Sequence, residues 1–176
     1  MQDPSSECWL HPNVEVGRSD VAGRGLFTTV DLAAGTVVSR LGGTLVDTAE
    51  LRRLFATSAS YVDSVVVDAD LHLLLTPGND NRFANHACDP NLGWVDAFSL
   101  ATLQDVPAGA ELLHDYAMSV ADPDVVLRCH CHSYRCRQMV EGTDWRIPQL
   151  QRRYAGHWTP YVQRLIDGDL VQVSAR

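Results

Sequence analysis

The sequence predicts a mainly β fold with short helices, built as one unit with a small appendage. Residues 13–46 break into short β-type runs (VEVG, AGRGLFTTV, AAGTVVSRLGGTLV) separated by glycine turns, a spacing that suits an irregular β-rich fold better than a helical bundle. β-type sequence returns at 62–75 (VDSVVVDADLHLLL) and again at 94–104, and few helical patterns precede residue 140. A length of 176 residues suits a single domain with a real core, and the chain carries no internal repeat or low-complexity tract.

Each element has a local reason. Residues 48–56, TAELRRLFA, read as one short amphipathic helix, with Leu51, Leu54 and Phe55 on a shared face and Asp47 or Thr48 as N-cap. The run 62–75 stops at Pro77-Gly78-Asn79, and Val106-Pro107-Ala108-Gly109 turns the chain into ELLHDY. Past residue 120, ADPD opens a segment rich in cysteine and histidine. Asp144 is a candidate cap for a helix through WRIPQLQRRY, whose first turn must hold Pro148, because proline has no N–H to donate. Thr159-Pro160 opens a last helix, YVQRLID, with Gly168 at its terminal position. Trp145, Tyr154 and Trp158 read as a packing face rather than an aromatic lid.

Composition narrows the function classes. Apolar residues make up 45% and charged residues 20%, ordinary for a soluble globular protein. The start, MQDPSSECWLHPN, lacks the basic-then-apolar pattern of a secretory signal, and no run approaches the roughly 20 apolar residues of a membrane helix, so the expectation is a cytoplasmic protein with no membrane partner. A net charge of −8 and a pI near 5.2 repel a nucleic-acid backbone and favour a basic protein or peptide, while also serving plain solubility. Five cysteines, Cys8, Cys88, Cys129, Cys131 and Cys136, are an odd number without an export signal. That argues against disulfides and leaves a thiolate metal site or buried thiols.

Three segments occur in order: Gly23-Arg24-Gly25-Leu26-Phe27, then RFANHACDPN over residues 82–91, then ELLHDY over 111–116. A fourth, Cys129-His130-Cys131 with Cys136, follows them. The glycine turn and the tyrosine-ended strand are weak signals alone, whereas the ten-residue middle segment is specific. Together they resemble the signature of SET-domain lysine methyltransferases with a zinc-binding post-SET tail, in the small stand-alone bacterial-type form. The likeness spans roughly residues 14–137. It implies a SET fold of small β-sheets with a knot-like core, in which 82–91 and 111–116 lie side by side, one threaded through a loop. It also implies a SET domain over 1–120 with an insert at about 47–76, a post-SET zinc segment over 121–140 and a C-terminal helical extension over 141–176.

The same likeness implies an S-adenosylmethionine-dependent protein-lysine N-methyltransferase. The alternatives are a non-lysine or small-molecule acceptor on the same fold, and a SET-like cofactor-binding module without catalysis; retention of Asn85, His86 and Tyr116 argues against the last. Tyr116 stands at the catalytic position. Gly23, Arg24 and Gly25 let backbone approach the methionine end of the cofactor, Asn85 offers that zwitterion a donor and an acceptor, and Arg82 holds the same region. His86 acts through its backbone at the adenine edge, and Tyr61 and His130 complete the expected cofactor-binding set, Tyr61 alternatively lining the acceptor channel or packing under the helix. Cys129, Cys131 and Cys136 need a fourth zinc ligand, for which Cys88 is the natural donor, with His130 and His132 flanking; Cys8 has no matching role. Leu41 and His114 stand where the family has aromatic residues of the lysine channel. Methyl transfer is an in-line displacement, so the task is to orient a neutral amine, and a lysine amine with a pKa of about 10.4 must first lose its proton. All fourteen basic residues are arginine, so the chain has no lysine of its own to methylate.

Overall fold

Runs of β-branched residues cut by frequent turns become strands of two to five residues. The computed structural model of the chain describes residues 3–58 and 62–174, the last six of these by backbone alone. β1 (Trp9–Leu10) precedes the hairpin of β2 (Val14–Arg18) and β3 (Arg24–Thr28), in which Val16 faces Leu26 and Gly17 faces Gly25. β4 (Val37–Arg40) runs antiparallel to β1, and the chain then leaves through Gly42 and Gly43 into β5 (Gly43–Val46). At Gly43 φ is +151° and a Cβ would strike the Leu74 carbonyl, so only glycine lets β5 lie this close to its neighbour.

α1 (Thr48–Thr57) is capped by Asp47, whose side chain accepts from the Glu50 N–H at 2.7 Å. Leu51 is buried, but Phe55 is 56% exposed, so the apolar face is narrower than the sequence suggests. β6 (Ser64–Asp68) and β7 (Leu71–Leu75) form a hairpin that joins β5 in a separate three-stranded sheet, ordered β5-β7-β6.

β8 (Asn85–His86), β9 (Leu92–Trp94), β10 (Ser99–Thr102) and β11 (Glu111–His114) follow. The stretch 94–104, strand-like in sequence, is the end of β9 and all of β10, paired antiparallel with Trp94 opposite Leu100. Asp96 makes the break, its Oδ1 accepting from the Phe98 N–H at 2.7 Å across the turn. The main sheet has the order β1-β4-β10-β9-β11-β3-β2, and β8 also pairs with β11. β11 therefore sits at the centre, antiparallel to β3 and parallel to both β8 and β9.

After β11 come the hairpin of β12 (Val126–Arg128) and β13 (Met139–Glu141), then a 3-10 turn at Asp144–Arg146 and α2 (Pro148–Arg153). Pro148 occupies the first turn of α2 as expected, but Asp144 caps no helix, because its carboxylate lies 2.9 Å from Arg137 instead. α3 (Pro160–Ser174) begins at the expected proline and runs straight through Gly168. Gly168 has no positive φ, so it is an interior helical residue at a cost of about 1 kcal/mol relative to alanine, not a terminal cap.

The core lies between the main sheet and the C-terminal helices. Leu26, Leu92 and Leu112 are fully buried, each contributing about 1.5–3 kcal/mol relative to exposure, and Trp145, Tyr154, Trp158, Val162 and Ile166 close over them. The three aromatics of the C-terminal segment are thus packing residues, as their helical spacing suggests. Arg164 pairs with Asp68 at 2.9 Å, which joins α3 to β6 at the surface. Among the described residues, no helix is long and apolar enough to cross a membrane.

Candidate active site and thiol cluster

β11 brings two distant motifs together. Leu113 lies beside Asn85 and His114 beside His86 in the parallel register, and the Ala87 N–H donates to the His114 carbonyl at 3.1 Å. Asn91 fixes the return strand through a pair of bonds, donating from Nδ2 to the Glu111 carbonyl and accepting from the Leu113 N–H, both at 2.8 Å. These bonds need both segments at once, which is why neither half would hold its shape alone.

Asn85 ties this junction to the glycine turn. Its Nδ2 donates to the Arg24 carbonyl at 2.8 Å and to Glu111 Oε1 at 2.9 Å. Gly25 is needed for a reason the sequence did not reveal: a Cβ there would collide with the Glu111 carboxylate. The absent side chain makes room for Glu111. Gly23 differs, since φ is +54° and a Cβ would meet nothing within 4 Å. Arg24 and Arg82 both stack on the Phe83 ring, at 4.2 and 4.8 Å, and Arg82 also reaches Asp63 at 3.7 Å. That leaves a cationic, partly exposed rim beside the turn.

Tyr116 follows β11 and is half-buried, its ring tilted on His114 at 4.9 Å and edge-on to His86 at 5.2 Å. Its N–H donates to His86 Nδ1 at 3.2 Å, and its hydroxyl donates to the Ala84 carbonyl at 3.5 Å. With Nδ1 accepting, the His86 proton sits on Nε2 and points at Cys88 Sγ, 3.3 Å away. Burial pushes His86 down to about 4, Asp115 opposing and Arg137 assisting, so the ring is neutral near pH 7. Burial, with His86 nearby, likewise pushes His114 down to about 4. Its Nδ1 is buried with no hydrogen-bond partner among the described residues, and Trp94 meets its ring edge-on at 5.9 Å. Leu41 is 6% exposed and belongs to the core, its N–H donating to the Phe98 carbonyl. Tyr61 lies outside the described residues.

Cys88, Cys129, Cys131 and Cys136 converge, with all four sulfur atoms within 4.8 Å of one another. Cys88 and Cys129 are 3.8 Å apart, close to the edge of a tetrahedron with metal–sulfur bonds of about 2.3 Å. Backbone N–H groups already point at the sulfurs: Arg137 to Cys88 at 3.3 Å, Cys131 to Cys129 at 3.4 Å and Gln138 to Cys136 at 3.4 Å. Such donors stabilise thiolates rather than thiols. Burial, against the opposing pull of Arg137, lifts Cys88 to about 11 and burial raises Cys129 strongly, whereas at Cys131 burial is outweighed by hydrogen bonds, chiefly with Ser133, which bring it to about 6. The donor set, its spacing and its N–H partners all fit a divalent, thiophilic ion. Cys8 sits elsewhere, bonded to Gly42. His130 and His132 are not members of the cluster but border it, lining a hollow of about 510 Å³ together with Cys129, Cys136, Arg128, Gln138 and Met139. His132 and Gln138 hold left-handed backbone there, with φ of 54° and 64°.

Sequence reading missed the groups that hold this arrangement. Asp115 is fully buried and accepts from Arg137 at 2.6 and 2.7 Å, from the Tyr154 hydroxyl at 2.9 Å and from the Ala117 N–H at 3.0 Å. Burial would raise its pKa, but the Arg137 guanidinium outweighs that and holds it below the usual carboxylate range. The only signal in the chain was an arginine directly after Cys136.

The SET domain family matches residues 23–117, more than half of the chain. The chain is 34% identical over 144 residues to histone-lysine N-methyltransferase trithorax of Drosophila virilis, and 31% identical over 143 residues to human histone-lysine N-methyltransferase 2B. Each alignment covers 72% of this chain but only 4% and 5% of those much longer proteins. Among solved structures, the methyltransferase domain of human histone-lysine N-methyltransferase SETMAR superposes with a TM-score of 0.57 at 20% identity, covering 74% of this chain and 57% of that one. KRYPTONITE in complex with mCHG DNA and SAH also gives a TM-score of 0.57, at 24% identity over 74% of this chain and 29% of that one. These structures share the fold, the sequence match covers the two paired motifs, and the protein belongs to the SET domain family.

Proposed function

We propose that this protein is an S-adenosylmethionine-dependent methyltransferase acting on lysine in a basic protein or peptide, with residues 121–140 serving as a post-SET segment that holds one structural zinc ion. The observation that carries this reading is the position of Tyr116, which is half-buried beside a strand junction that also carries Asn85 and His86. The histone-lysine specificity of the relatives, together with a net charge of −8, supports a basic acceptor.

When bound, the cofactor supplies an electrophilic methyl group on a sulfonium. Asn85 spends its amide protons on Arg24 and Glu111, which leaves Oδ1 to accept from the cofactor ammonium. Arg24 and Arg82 supply the positive rim for its carboxylate, and the open face of Gly23 admits close backbone approach. His86 contributes its backbone to the adenine edge, and His130 stands at a hollow beside the thiol cluster, where it completes the expected cofactor-binding set. Tyr116 orients the acceptor amine through its hydroxyl, next to the Ala84 carbonyl, in a setting poor in water that favours the uncharged amine. His114 lines the acceptor pocket as a neutral ring against Tyr116, while Leu41, also expected there, lies in the core. Cys88, Cys129, Cys131 and Cys136 hold the zinc.

The test is incubation of the zinc-loaded protein with methyl-labelled cofactor and mixed core histones, in parallel with a small-molecule extract. Acid-stable label on lysine is the expected result, and it must lie on the acceptor because the chain itself contains no lysine. Label confined to the small-molecule fraction would replace the acceptor. Cofactor binding with no transfer in either arm would make this a binding module.

A further inference from the structure

The carboxylate beside Tyr116 is gripped from the far end of the chain. Asp115 is fully buried and its Oδ1 caps the 3-10 turn Tyr116–Met118 by accepting from the Ala117 N–H. Where the carboxylate points therefore sets the turn that carries Tyr116. Two of its partners come from outside the segment that matches the SET family: Arg137, bound through two nitrogens, and Tyr154. Asp144 stands 2.9 Å behind the Arg137 Nε, close enough to attract the guanidinium but not aligned as a hydrogen bond.

Tyr154 is the less expected partner. It ends α2, is 2% exposed, and packs edge-on to Trp158 at 5.8 Å. Its hydroxyl has one proton and two acceptors in reach, Asp115 Oδ2 at 2.9 Å and the Cys88 carbonyl at 3.4 Å. The charged oxygen at the shorter distance takes it, since hydrogen bonds to an ionised acceptor are the stronger kind. The hydroxyl also stays protonated, because burial and the Asp115 charge both raise its pKa. Packing the core would need only the ring; the hydroxyl is an addition directed at one carboxylate.

We propose that Tyr154 is a positioning residue for Tyr116, acting through Asp115, so that the C-terminal segment is a working part of the acceptor site. This rests on the methyltransferase reading above. In the full zinc-loaded chain, Tyr154→Phe removes the hydroxyl and keeps the ring. The Tyr116 amide proton, bonded to His86 Nδ1, should shift in the two-dimensional NMR spectrum, while zinc content stays unchanged. With core histones as acceptor, kcat should fall about five- to tenfold, with KM for the cofactor within about twofold, as for an interaction made chiefly in the transition state. Adding Tyr154→Phe to Tyr116→Phe should cost nothing further, because the hydroxyl being positioned is already gone. Trp158→Phe, which loosens the core around the Tyr154 ring but leaves its hydroxyl, should leave kcat within about twofold and the Tyr116 amide in place. An unmoved Tyr116 amide, losses that multiply in the double variant, or an equal loss in Trp158→Phe would each overturn the proposal. A wild-type protein that transfers no methyl group would instead overturn the enzymatic reading, while the amide shift would still report on the clamp.

Discussion

Arg137→Met takes the guanidinium from a carboxylate that water does not reach. Asp115 is fully buried and the Arg137 side chain is 15% exposed, so the pair counts as internal. Removing one member of such a pair costs about 3–5 kcal/mol, because the other charge remains desolvated. Tyr154 and the Ala117 N–H still donate to Asp115, which places the expected loss near the lower end, about 3 kcal/mol. For a chain of this size that corresponds to a fall in Tm of about 6–12 °C. Methionine keeps most of the volume, and the Arg137 backbone N–H to Cys88 is untouched. The pH dependence has a definite sign. In the wild type the Asp115 pKa is depressed, so its stabilisation is present above the ordinary carboxylate value of about 3.9 and is lost as pH falls through the folded value. In the variant, burial is less opposed and the carboxyl takes up its proton at higher pH. The gap between the two proteins should therefore be widest near neutrality and should narrow as pH falls from the variant's higher folded value towards the depressed wild-type one. Urea unfolding of both proteins, zinc-loaded, across this range reads the difference directly. A loss below about 1 kcal/mol at neutral pH, or a gap that persists into acid, would refute the buried-pair argument.

Other outcomes follow from single positions. Tyr116→Phe should cut methyl transfer by about tenfold or more with zinc content and cofactor affinity little changed, measured by single-turnover transfer and calorimetry. Asn85→Ala should show the reverse emphasis, with cofactor affinity falling first because Oδ1 and the tie to the glycine turn are lost together; calorimetry checks it. Cys131→Ser should lower bound metal well below about one zinc per chain and loosen the β12–β13 hairpin, as read by elemental analysis and amide exchange. Gly43→Ala should destabilise by about 3 kcal/mol, since it combines an unfavourable φ with a collision against the Leu74 backbone; urea unfolding tests it.

Local elements were legible because their causes are local. Asp47 before TAELRRLFA caps α1, Pro148 and Pro160 sit in the first turns of α2 and α3, and glycine turns delimit the N-terminal strands. The misreadings share a physical form. Gly168 looked like a stop, yet a glycine costs a helix only about 1 kcal/mol, and α3 continues through it. The run 94–104 looked continuous, because hydropathy does not register the turn that Asp96 makes through a single hydrogen bond. Phe55 fits the helical period of α1, but among the described residues none packs over that edge enough to bury it.

By itself the sequence determined the β-rich class, the order of the motifs and the three closely spaced thiols at Cys129, Cys131 and Cys136. Periodicity, turn chemistry and ligand spacing all act over a few residues. The tertiary structure alone decided that Glu111 fills the space left by Gly25 and that Arg137 and Tyr154 meet on Asp115, whereas Cys88, which reaches the thiol cluster from 41 residues away, was expected there from the family resemblance. Those contacts belong to a buried carboxylate and a buried sulfur, groups whose partners are chosen by desolvation. A buried charge or donor must be satisfied by whatever the fold brings near it, at any distance along the chain, so no local pattern marks the residue that will do so.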